Sequence, residues 1–217
     1  MGQPMRIDFV SDVVCPWCVI GLKGLEEALA NIGDEIEPEI VFHPFELNPD
    51  MPAEGEGLAD HVRRKYGASP EQSAANRSHI VDRAAEVGFT IGFRPDGRIW
   101  NTFDAHRLLH WAQGQGDGAQ HRLKMALFGA YFTDGKNVAD ASTLLDAAEA
   151  AGLDREAAAA ILAGDSFTEE VRGEENYWRR EGINAVPAVI INGKYMISGG
   201  HPPAAFEKAL RRIAAEG

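Results

Sequence analysis

The chain has 217 residues, of which 45% are hydrophobic and 25% are charged, an ordinary composition for a globular protein with a substantial core. Its formal net charge of −12 argues against broad binding to nucleic-acid phosphates, which needs clustered lysines and arginines. No apolar run approaches the ~20 residues of a membrane-spanning helix, and the N-terminus lacks the basic and apolar regions of a secretory signal, so a cytoplasmic protein without a membrane partner is expected.

The first fifty residues predict two strands and, between them, a helix that begins at a pair of cysteines. Alternating apolar and polar residues indicate a strand at residues 5–12. Pro16 suits the first position of a helix, where its missing N–H group costs nothing, and apolar residues continue the helical spacing over residues 17–31. Residues 39–45 predict the second strand.

The middle of the chain, residues 53–182, predicts almost continuous helix. Residues 69–72 and 166–169 have the pattern of capping boxes, in which a serine and a glutamine or glutamate satisfy the first N–H groups of a helix. The helical pattern is interrupted at residues 89–100, where a proline, an aspartate and a glycine indicate a turn. A loop or a short extended pair is expected there.

The C-terminal segment returns to strand patterns. Residues 188–198 are two short β-type runs around Asn192 and Gly193, the strongest short signal for a hairpin. Residues 201–217 predict a closing helix with an apolar stripe.

The order of these elements predicts an α/β fold in two parts. Residues 1–52 and 183–217 together form a small sheet with helices packed on it. Residues 53–182 form an α-helical domain that is inserted into this unit.

The two cysteines, Cys15 and Cys18, are the only ones in the chain, and they admit three functions. A structural disulfide between them would close too small a loop to constrain the unfolded chain, and the cytosol would keep such a pair reduced. A structural zinc ion needs four ligands and this pair supplies two. His106 and His110 share one helix face but form no metal signature with the cysteines, so no metal is predicted.

The third function, thiol–disulfide exchange, agrees best with the position of the pair. A thiol at a helix N-terminus faces free N–H groups and the positive end of the helix dipole, which lowers a cysteine pKa from ~8.5. Cys15 lies at the cap and is expected to attack a disulfide. Cys18 lies one turn inside the helix, where it can resolve the mixed disulfide.

A second signal lies far along the chain. Val186 and Pro187 precede the predicted hairpin, and an X-Pro bond that enters a strand is a candidate for a cis peptide. A trans proline at the first position of the strand is the alternative. The distant CxxC pair after a first strand favours the cis form.

The motifs together resemble a known family. The chain is similar to the DsbA family of thioredoxin-fold proteins, and in particular to its FrnE-like branch. The similarity spans nearly the whole chain, and the segments that carry it are DFVSDVVCPWCVIG, HPFELNP, NTFDAHRLLHWA, NVADASTLLDAAEAAGLD and AVPAVIINGKYMISGG.

The resemblance implies a thioredoxin-like fold with a large helical insertion and thiol–disulfide oxidoreductase or isomerase activity. It assigns Cys15 as the nucleophile and Cys18 as the resolving thiol, with no bound cofactor beyond their own redox-active disulfide. It also implies a cis Pro187 against the CPWC loop, where the Val186 backbone could pair with a substrate polypeptide as an added strand. A small thiol or disulfide is the other expected substrate, and a monomer or a homodimer is compatible with the helical faces.

The resemblance adds further positions around the cysteines. Gly199 and Gly200 are expected near the site. Pro16 and Trp17, between the cysteines, are expected to position or contact the substrate. Because Trp17 carries no formal charge, we expect a less oxidising couple than in relatives with histidine there.

Three polar residues are weaker candidates. Asp12 is either a proton acceptor near Cys18 or an exposed acid near the helix start. His43 lies in a family segment, but a histidine on a strand is more often structural. Asn101 lies in another family segment and also suits a helix N-cap.

The same family contains glutathione-dependent members. Kappa-class glutathione transferases and 2-hydroxychromene-2-carboxylate isomerases carry serine at the position of Cys15. The cysteine found here favours redox exchange. A glutathione-dependent isomerase or transferase acting on a small aromatic molecule stays open, as do glutathione as a co-substrate and a binder or chaperone without enzyme activity.

Overall fold

The computed structural model describes residues 2–116 and 118–216. The elements in chain order are β1 (Gln3–Ser11), α1 (Pro16–Ile32), β2 (Ile36–Pro44), β3 (Glu56–Gly57), α2 (Leu58–Tyr66), α3 (Pro70–Glu86), β4 (Arg98–Ile99), α4 (Phe103–Gln113), α5 (Ala119–Phe128), α6 (Ala141–Ala150), α7 (Arg155–Ala163), α8 (Thr168–Arg180), β5 (Ala188–Ile191), β6 (Tyr195–Ser198) and α9 (Pro203–Glu216).

The strand β1 lies inside the main sheet, whose order in the described residues is β2-β1-β5-β6. β1 pairs in parallel with β2, with Ile7 opposite Ile40, and antiparallel with β5, with Phe9 opposite Val189. β5 and β6 form the predicted hairpin, in which Asn192 has a φ of 52° as the turn requires. The first strand of the sequence is therefore paired on both sides.

The side chains of β1 alternate between two buried layers, as expected for a strand covered on both faces. Ile7 and Phe9 pack with α1 and α9 in the larger core. Val10 points the other way, into a smaller cluster with Trp178 of α8. The sheet is thus covered by helices from both ends of the chain on one face and by α8 on the other.

The segment predicted as an inserted domain is largely helical, and α4, α5, α6 and α7 share a core that Val13, Val14 and Met51 also enter. The exact division at residues 52/53 and 182/183 stays a prediction. α8, although it lies within residues 53–182, packs its Trp178 on the sheet. A helix of the insertion therefore covers one face of the sheet directly.

Two local predictions differ in outcome. The capping box at residues 69–72 is present, with the Gln72 N–H donating to Ser69 Oγ at 3.2 Å. The one predicted at residues 166–169 is wrong, because the helix begins at Thr168 after Phe167, which has a left-handed φ of 64°. An aromatic N-cap without a side-chain acceptor gives no sequence signal.

The interruption predicted at residues 89–100 contains the short strand β4, and this strand pairs with a segment that is distant in the sequence. β4 pairs with β3, which lies about forty residues earlier in the chain. The turn signal was therefore correct, but the partner strand was not visible in the local sequence.

Helix α1 packs closely against the segment that leads into α9. A Cβ atom added at Gly24 would lie 2.6 Å from the backbone oxygen of His201, closer than real Cβ contacts. Glycine at position 24 is therefore required by the distance between two backbones.

We predict opposite effects of two glycine-to-alanine substitutions in helices. Gly24→Ala should destabilise the protein by about 1–3 kcal/mol, because the new methyl group must displace backbone. Gly173→Ala, at an exposed position of α8 with open space around the added Cβ, should stabilise by about 0.5–1 kcal/mol through helix propensity. Chemical denaturation of both variants measures the two free energies of unfolding, and a stabilised Gly24→Ala protein would contradict the close approach.

Candidate active site

The two cysteines lie at the start of α1, shortly after the end of β1. Residues 15–18 are called the cysteine turn below. Cys15 is the N-cap of the helix, with extended backbone angles, and Pro16 takes the first helical position as predicted. The Cys18 N–H group donates to the Cys15 oxygen at 3.0 Å, which starts the first turn. Both thiols are free. Cys15 is 4% exposed rather than openly accessible, and Cys18 is fully buried.

A loop from the far end of the chain forms the second wall of the site. The Val186–Pro187 peptide bond is cis, as the resemblance implied. The Cys15 thiol donates to the Val186 carbonyl oxygen, with 3.6 Å between sulfur and oxygen. The Gly199 N–H group donates to the Pro187 oxygen at 2.8 Å, which ties the loop to the end of β6.

Two glycines permit this loop to lie against α1. A Cβ atom at Gly200 would be 2.8 Å from the Trp17 backbone oxygen, and one at Gly21 would be 3.1 Å from Pro187 Cγ. The structure therefore places Gly199 and Gly200 beside the cysteine turn, where they hold the second wall in place.

A cleft of about 690 Å³ opens above Cys15. It lies between the cysteine turn, the Val186 loop and the insertion, and its wall is mainly apolar. The aromatic side chains that line it are Trp17, Phe45, Tyr66, Phe93, Tyr131 and Phe132. Its basic side chains are Lys65, Arg77 and Arg179. Positive charge thus lies in the wall of this cleft, although the protein has a net charge of −12.

The environment of Cys18 opposes its ionisation. Burial raises the pKa of the Cys18 thiol well above its usual value, and the neighbouring Cys15 sulfur raises it further. The Asp12 backbone and the charge of Lys124 act in the opposite direction. The thiol that would have to act second is therefore the one that needs help to lose its proton.

Asp12 is buried, so the alternative of an exposed acid at the helix start is wrong. Its Oδ2 accepts the Leu47 N–H group at 2.8 Å, and its Oδ1 lies 3.4 Å from His106 Nε2. Burial raises the pKa of Asp12, but the contacts with His106, Leu47 and Thr102 outweigh burial and lower it. Asp12 is thus an anion beneath the cysteine turn, and its role as a proton acceptor stays a prediction.

Glu46 is a carboxyl group in the wall of the cleft, and sequence reasoning missed it. It accepts a hydrogen bond from Arg172 and lies beside Glu175, and its side chain is fully buried. Burial raises the pKa of Glu46 to about 7, the Glu175 charge adds to this, and Arg172 opposes it. The segment HPFELNP offered no signal that its glutamate turns inward.

His43 and Asn101 lie outside the lining of the cleft. His43 is held between Asp8, at 2.8 Å, and Glu174, at 3.1 Å. The N-cap of α4 is Thr102, so the expected N-cap position of Asn101 is wrong by one residue. The Asn101 side chain still accepts the Phe103 N–H group at 2.9 Å and donates to Met51. Both contacts agree with structural roles.

The structure also bears on metal binding and on membrane-spanning helices. In residues 2–116 and 118–216, no group of three or more His, Cys, Asp and Glu side chains is arranged to hold a metal ion. His106 and His110 do share a face of α4, but His106 lies near Asp12 and His110 binds Glu174. Among the described helices, none has the length and apolar character needed to cross a bilayer.

A family model and two relatives match nearly the whole chain. The family model of the DSBA-like thioredoxin domain matches residues 6–211. An uncharacterized protein of Bacillus subtilis, YwbO, is 28% identical over 95% of this chain and 96% of its own length. The crystal structure of the probable DsbA oxidoreductase SCO1869 from Streptomyces coelicolor is 33% identical, with a TM-score of 0.91 over 98% of this chain and 91% of its own.

A more distant structure shares the fold. The cytosolic disulfide reductase DsbM from Pseudomonas aeruginosa, determined with glutathione, is 16% identical, with a TM-score of 0.66 over 97% of this chain and 99% of its own. Together the matches confirm the resemblance to the DsbA family and its FrnE-like branch. They also confirm the α/β thioredoxin-like fold with a helical insertion.

We predict that Glu46 makes stability depend on pH. With a pKa near 7 in the folded state and 4.5 as its ordinary value, this carboxyl binds its proton more tightly when folded. Its contribution to stability is present below about pH 4.5 and is lost as the pH rises through 7. Glu46→Gln, which keeps an oxygen acceptor for Arg172, should therefore gain on the order of 2 kcal/mol relative to the wild type between pH 5 and pH 8.

Urea denaturation across this pH range measures the effect. Glu37→Gln, at an exposed position of β2, is the matched control and should follow the wild-type curve. Parallel curves for Glu46→Gln and the wild type would show that Glu46 titrates normally.

Proposed function

This chain belongs to the DSBA-like thioredoxin domain family, and we propose that it is an enzyme that exchanges disulfides through Cys15 and Cys18. One observation carries the proposal. The Cys15 sulfur lies at the base of the cleft and beside the Val186 oxygen, whereas Cys18 lies one turn inside and fully buried. A substrate in the cleft can therefore reach one sulfur directly and the other only through the first.

The exchange is balanced in electrons and protons. The Cys15 thiolate attacks a substrate disulfide, one sulfur–sulfur bond forms as another breaks, and the first substrate thiolate leaves and takes a proton. Cys18 then loses its proton and attacks the Cys15 sulfur, which releases the second substrate thiol. Two enzyme thiols have become a disulfide and one substrate disulfide has become two thiols. In this scheme no bound cofactor takes part, and the reverse sequence oxidises a substrate.

A polypeptide is the proposed main substrate. The cleft offers an apolar and aromatic surface that includes Trp17, and the residues that precede Pro187 form its edge. An extended peptide there could add to the backbone next to Val186, because backbone groups accept any sequence. Such a surface favours unfolded or partly folded chains with exposed aromatic residues.

Glutathione is a second proposed partner, and the basic side chains of the cleft favour it. Lys65, Arg77 and Arg179 suit the carboxylates of a small anionic thiol. The related fold of DsbM was determined with glutathione. Glutathione would serve as the co-substrate that resets the Cys15–Cys18 couple. In the alternative function it would assist an isomerase or transferase that acts on a small aromatic molecule.

The direction of exchange depends on the potential of the couple. We propose a cytoplasmic location. If the reduction potential of the couple is well above that of the cytosolic glutathione pool, the couple is mainly reduced there and therefore reduces or isomerises disulfides. A partner that oxidises the couple would reverse this direction.

We predict that Cys18→Ser traps substrates as mixed disulfides with Cys15, because the second attack can no longer occur. Captured species should run as reducible high-mass bands on gels of a lysate and include a glutathione adduct by mass spectrometry. Cys15→Ser is the matched control and should capture at least tenfold less. Equal capture by both variants would contradict the assignment of the nucleophile.

We also predict that Trp17→His makes the couple more oxidising. A protonated imidazole beside Cys15 would stabilise its thiolate, whereas the indole carries no charge. Equilibration with glutathione should show a roughly tenfold change in equilibrium constant, or ~30 mV. Trp17→Phe, which keeps an uncharged ring, is the control, and an equal shift in both variants would assign the effect to lost packing.

A further inference from the structure

A buried lysine lies near the two cysteines and has no evident structural use. Lys124 in α5 is 0% exposed, and its Nζ atom has no hydrogen-bond partner among the residues that the structure describes. Its Nζ atom lies 5.3 Å from the centroid of the Phe128 ring. Burying an unpaired ammonium destabilises a fold, and an apolar side chain would suit the position better.

The docking of α5 explains why this side chain points inward. One turn earlier, Gln120 accepts the Phe42 N–H group at 3.0 Å and donates to the Phe42 oxygen at 2.9 Å. This paired contact fixes one face of α5 against β2. Lys124 is four residues further on and shares that face. The lysine therefore enters the space between α5, the end of β2 and α4.

A small polar space lies beside the amine. A cavity of about 10 Å³ is lined by Lys124 and by His106, whose Nε2 atom also has no hydrogen-bond partner in the described residues. The same His106 atom lies 3.4 Å from Asp12 Oδ1, directly before the cysteine turn. The buried side chains of Asp12, His106 and Lys124 thus follow one another, through the approach of His106 to Asp12 and through the cavity that His106 shares with Lys124.

We propose that Lys124 is a charge-stabilising residue for the resolving step, in which its buried ammonium stabilises the Cys18 thiolate as that sulfur attacks the mixed disulfide. This inference rests on the proposed thiol exchange. It gives the helical insertion a role in the chemistry of the sheet domain, because the charge that acts on Cys18 comes from α5.

The electrostatics of the cluster support this role. Burial lowers the pKa of Lys124 to about 8, while the charges of Cys18, Asp12 and Cys15 raise it, that of Cys18 most strongly. In turn, Lys124 lowers the pKa of Cys18. At neutral pH the amine is mainly charged, and it loses this charge within an accessible range of pH.

The titratable groups that face Lys124 come from all the elements around it. They are Asp12 before α1, Cys15 and Cys18 in the cysteine turn, His43 in β2, and His106 and His110 in α4. His43 and His110 are already bound to Glu174. The negative charge of Asp12 offsets the positive charge of the Lys124 ammonium. The pair therefore has no net charge while Cys18 is a protonated thiol.

In the mixed disulfide the substrate sulfur is bonded to Cys15. Cys18 gives its proton to solvent and attacks the Cys15 sulfur, so that the Cys15–Cys18 bond forms as the bond between Cys15 and the substrate sulfur breaks. The substrate thiolate departs and takes up a proton from solvent, and no proton is gained or lost overall. Lys124 keeps its own protons throughout and lowers the free energy of the anionic sulfur.

An aromatic disulfide reagent, 5,5′-dithiobis(2-nitrobenzoic acid), separates the two steps. One equivalent releases a first coloured thiolate when Cys15 attacks and a second when Cys18 resolves the adduct. For Lys124→Met we expect the first release to change less than threefold and the second to slow about tenfold at pH 7. The defect should vanish by about pH 9.5, where the wild-type amine is itself neutral.

The controls isolate the charge. Lys124→Arg keeps a cation at every pH used. It should resolve within threefold of the wild type at pH 7, and at pH 9.5 it should resolve faster than both the wild type and Lys124→Met. Lys208→Met makes the same change at an exposed position of α9 and should leave both releases unchanged. Circular dichroism and thermal unfolding test the folding of each variant, and Lys124→Gln replaces Lys124→Met if the latter does not fold.

Two outcomes overturn the proposal while leaving the proposed function intact. An unchanged second release in folded Lys124→Met or Lys124→Gln would show that the charge does not act on Cys18. A defect that is the same at pH 7 and pH 9.5 would assign Lys124 a packing role. Absence of the first release in the wild type would instead contradict the proposed function itself.

Discussion

The antiparallel pairing of β1 with β5 is the constraint on which the rest of the site depends. β1 ends at Ser11, three residues before the cysteine turn, and β5 begins at Ala188, directly after Pro187. The pairing therefore brings Val186 to Cys15 although 171 residues separate them in the chain. Long-range pairing of this kind is entropically costly to form, and it is stabilised by the apolar layer of Phe9 and Val189.

Burial gives the two sulfurs their different environments. Both lie under the same turn, but Cys15 borders the cleft whereas Cys18 is enclosed by the core of α1. A low-dielectric enclosure disfavours a thiolate unless a positive charge is near. The structure places that charge on α5, from the helical insertion, and places a buried carboxylate, Asp12, beside it. The insertion thus supplies both the upper wall of the cleft and the electrostatics beneath it.

Charge is distributed unevenly around this site. The chain carries a net charge of −12, yet basic side chains line the cleft, and Glu46 in its wall has a pKa raised to about 7 by burial and by Glu175. An anionic ligand therefore meets a locally favourable potential on an otherwise acidic protein. Protonation of Glu46 near neutrality would make this potential more positive.

The sequence by itself determined the order of elements, the hairpin at Asn192, the position of Pro16 at the helix start and the pair of cysteines, because these depend on local periodicity and turn chemistry. It also carried the resemblance to the DsbA family, and the comparisons confirm that the chain belongs to this family. The distant relation of Val186 to Cys15 was available only through that resemblance.

Only the tertiary structure decided which polar residues belong to the site. Asp12, Glu46 and Lys124 have the composition of surface residues, and nothing in their neighbours marks them as buried. His43 and Asn101 occupy family segments, lie outside the lining of the cleft and contact Asp8 and Met51 respectively. Whether a polar side chain faces water or a sulfur depends on how separate elements dock, which no local pattern specifies. The chemistry of the cysteine pair could therefore be inferred from the sequence, whereas the packing of separate elements determined its electrostatic environment.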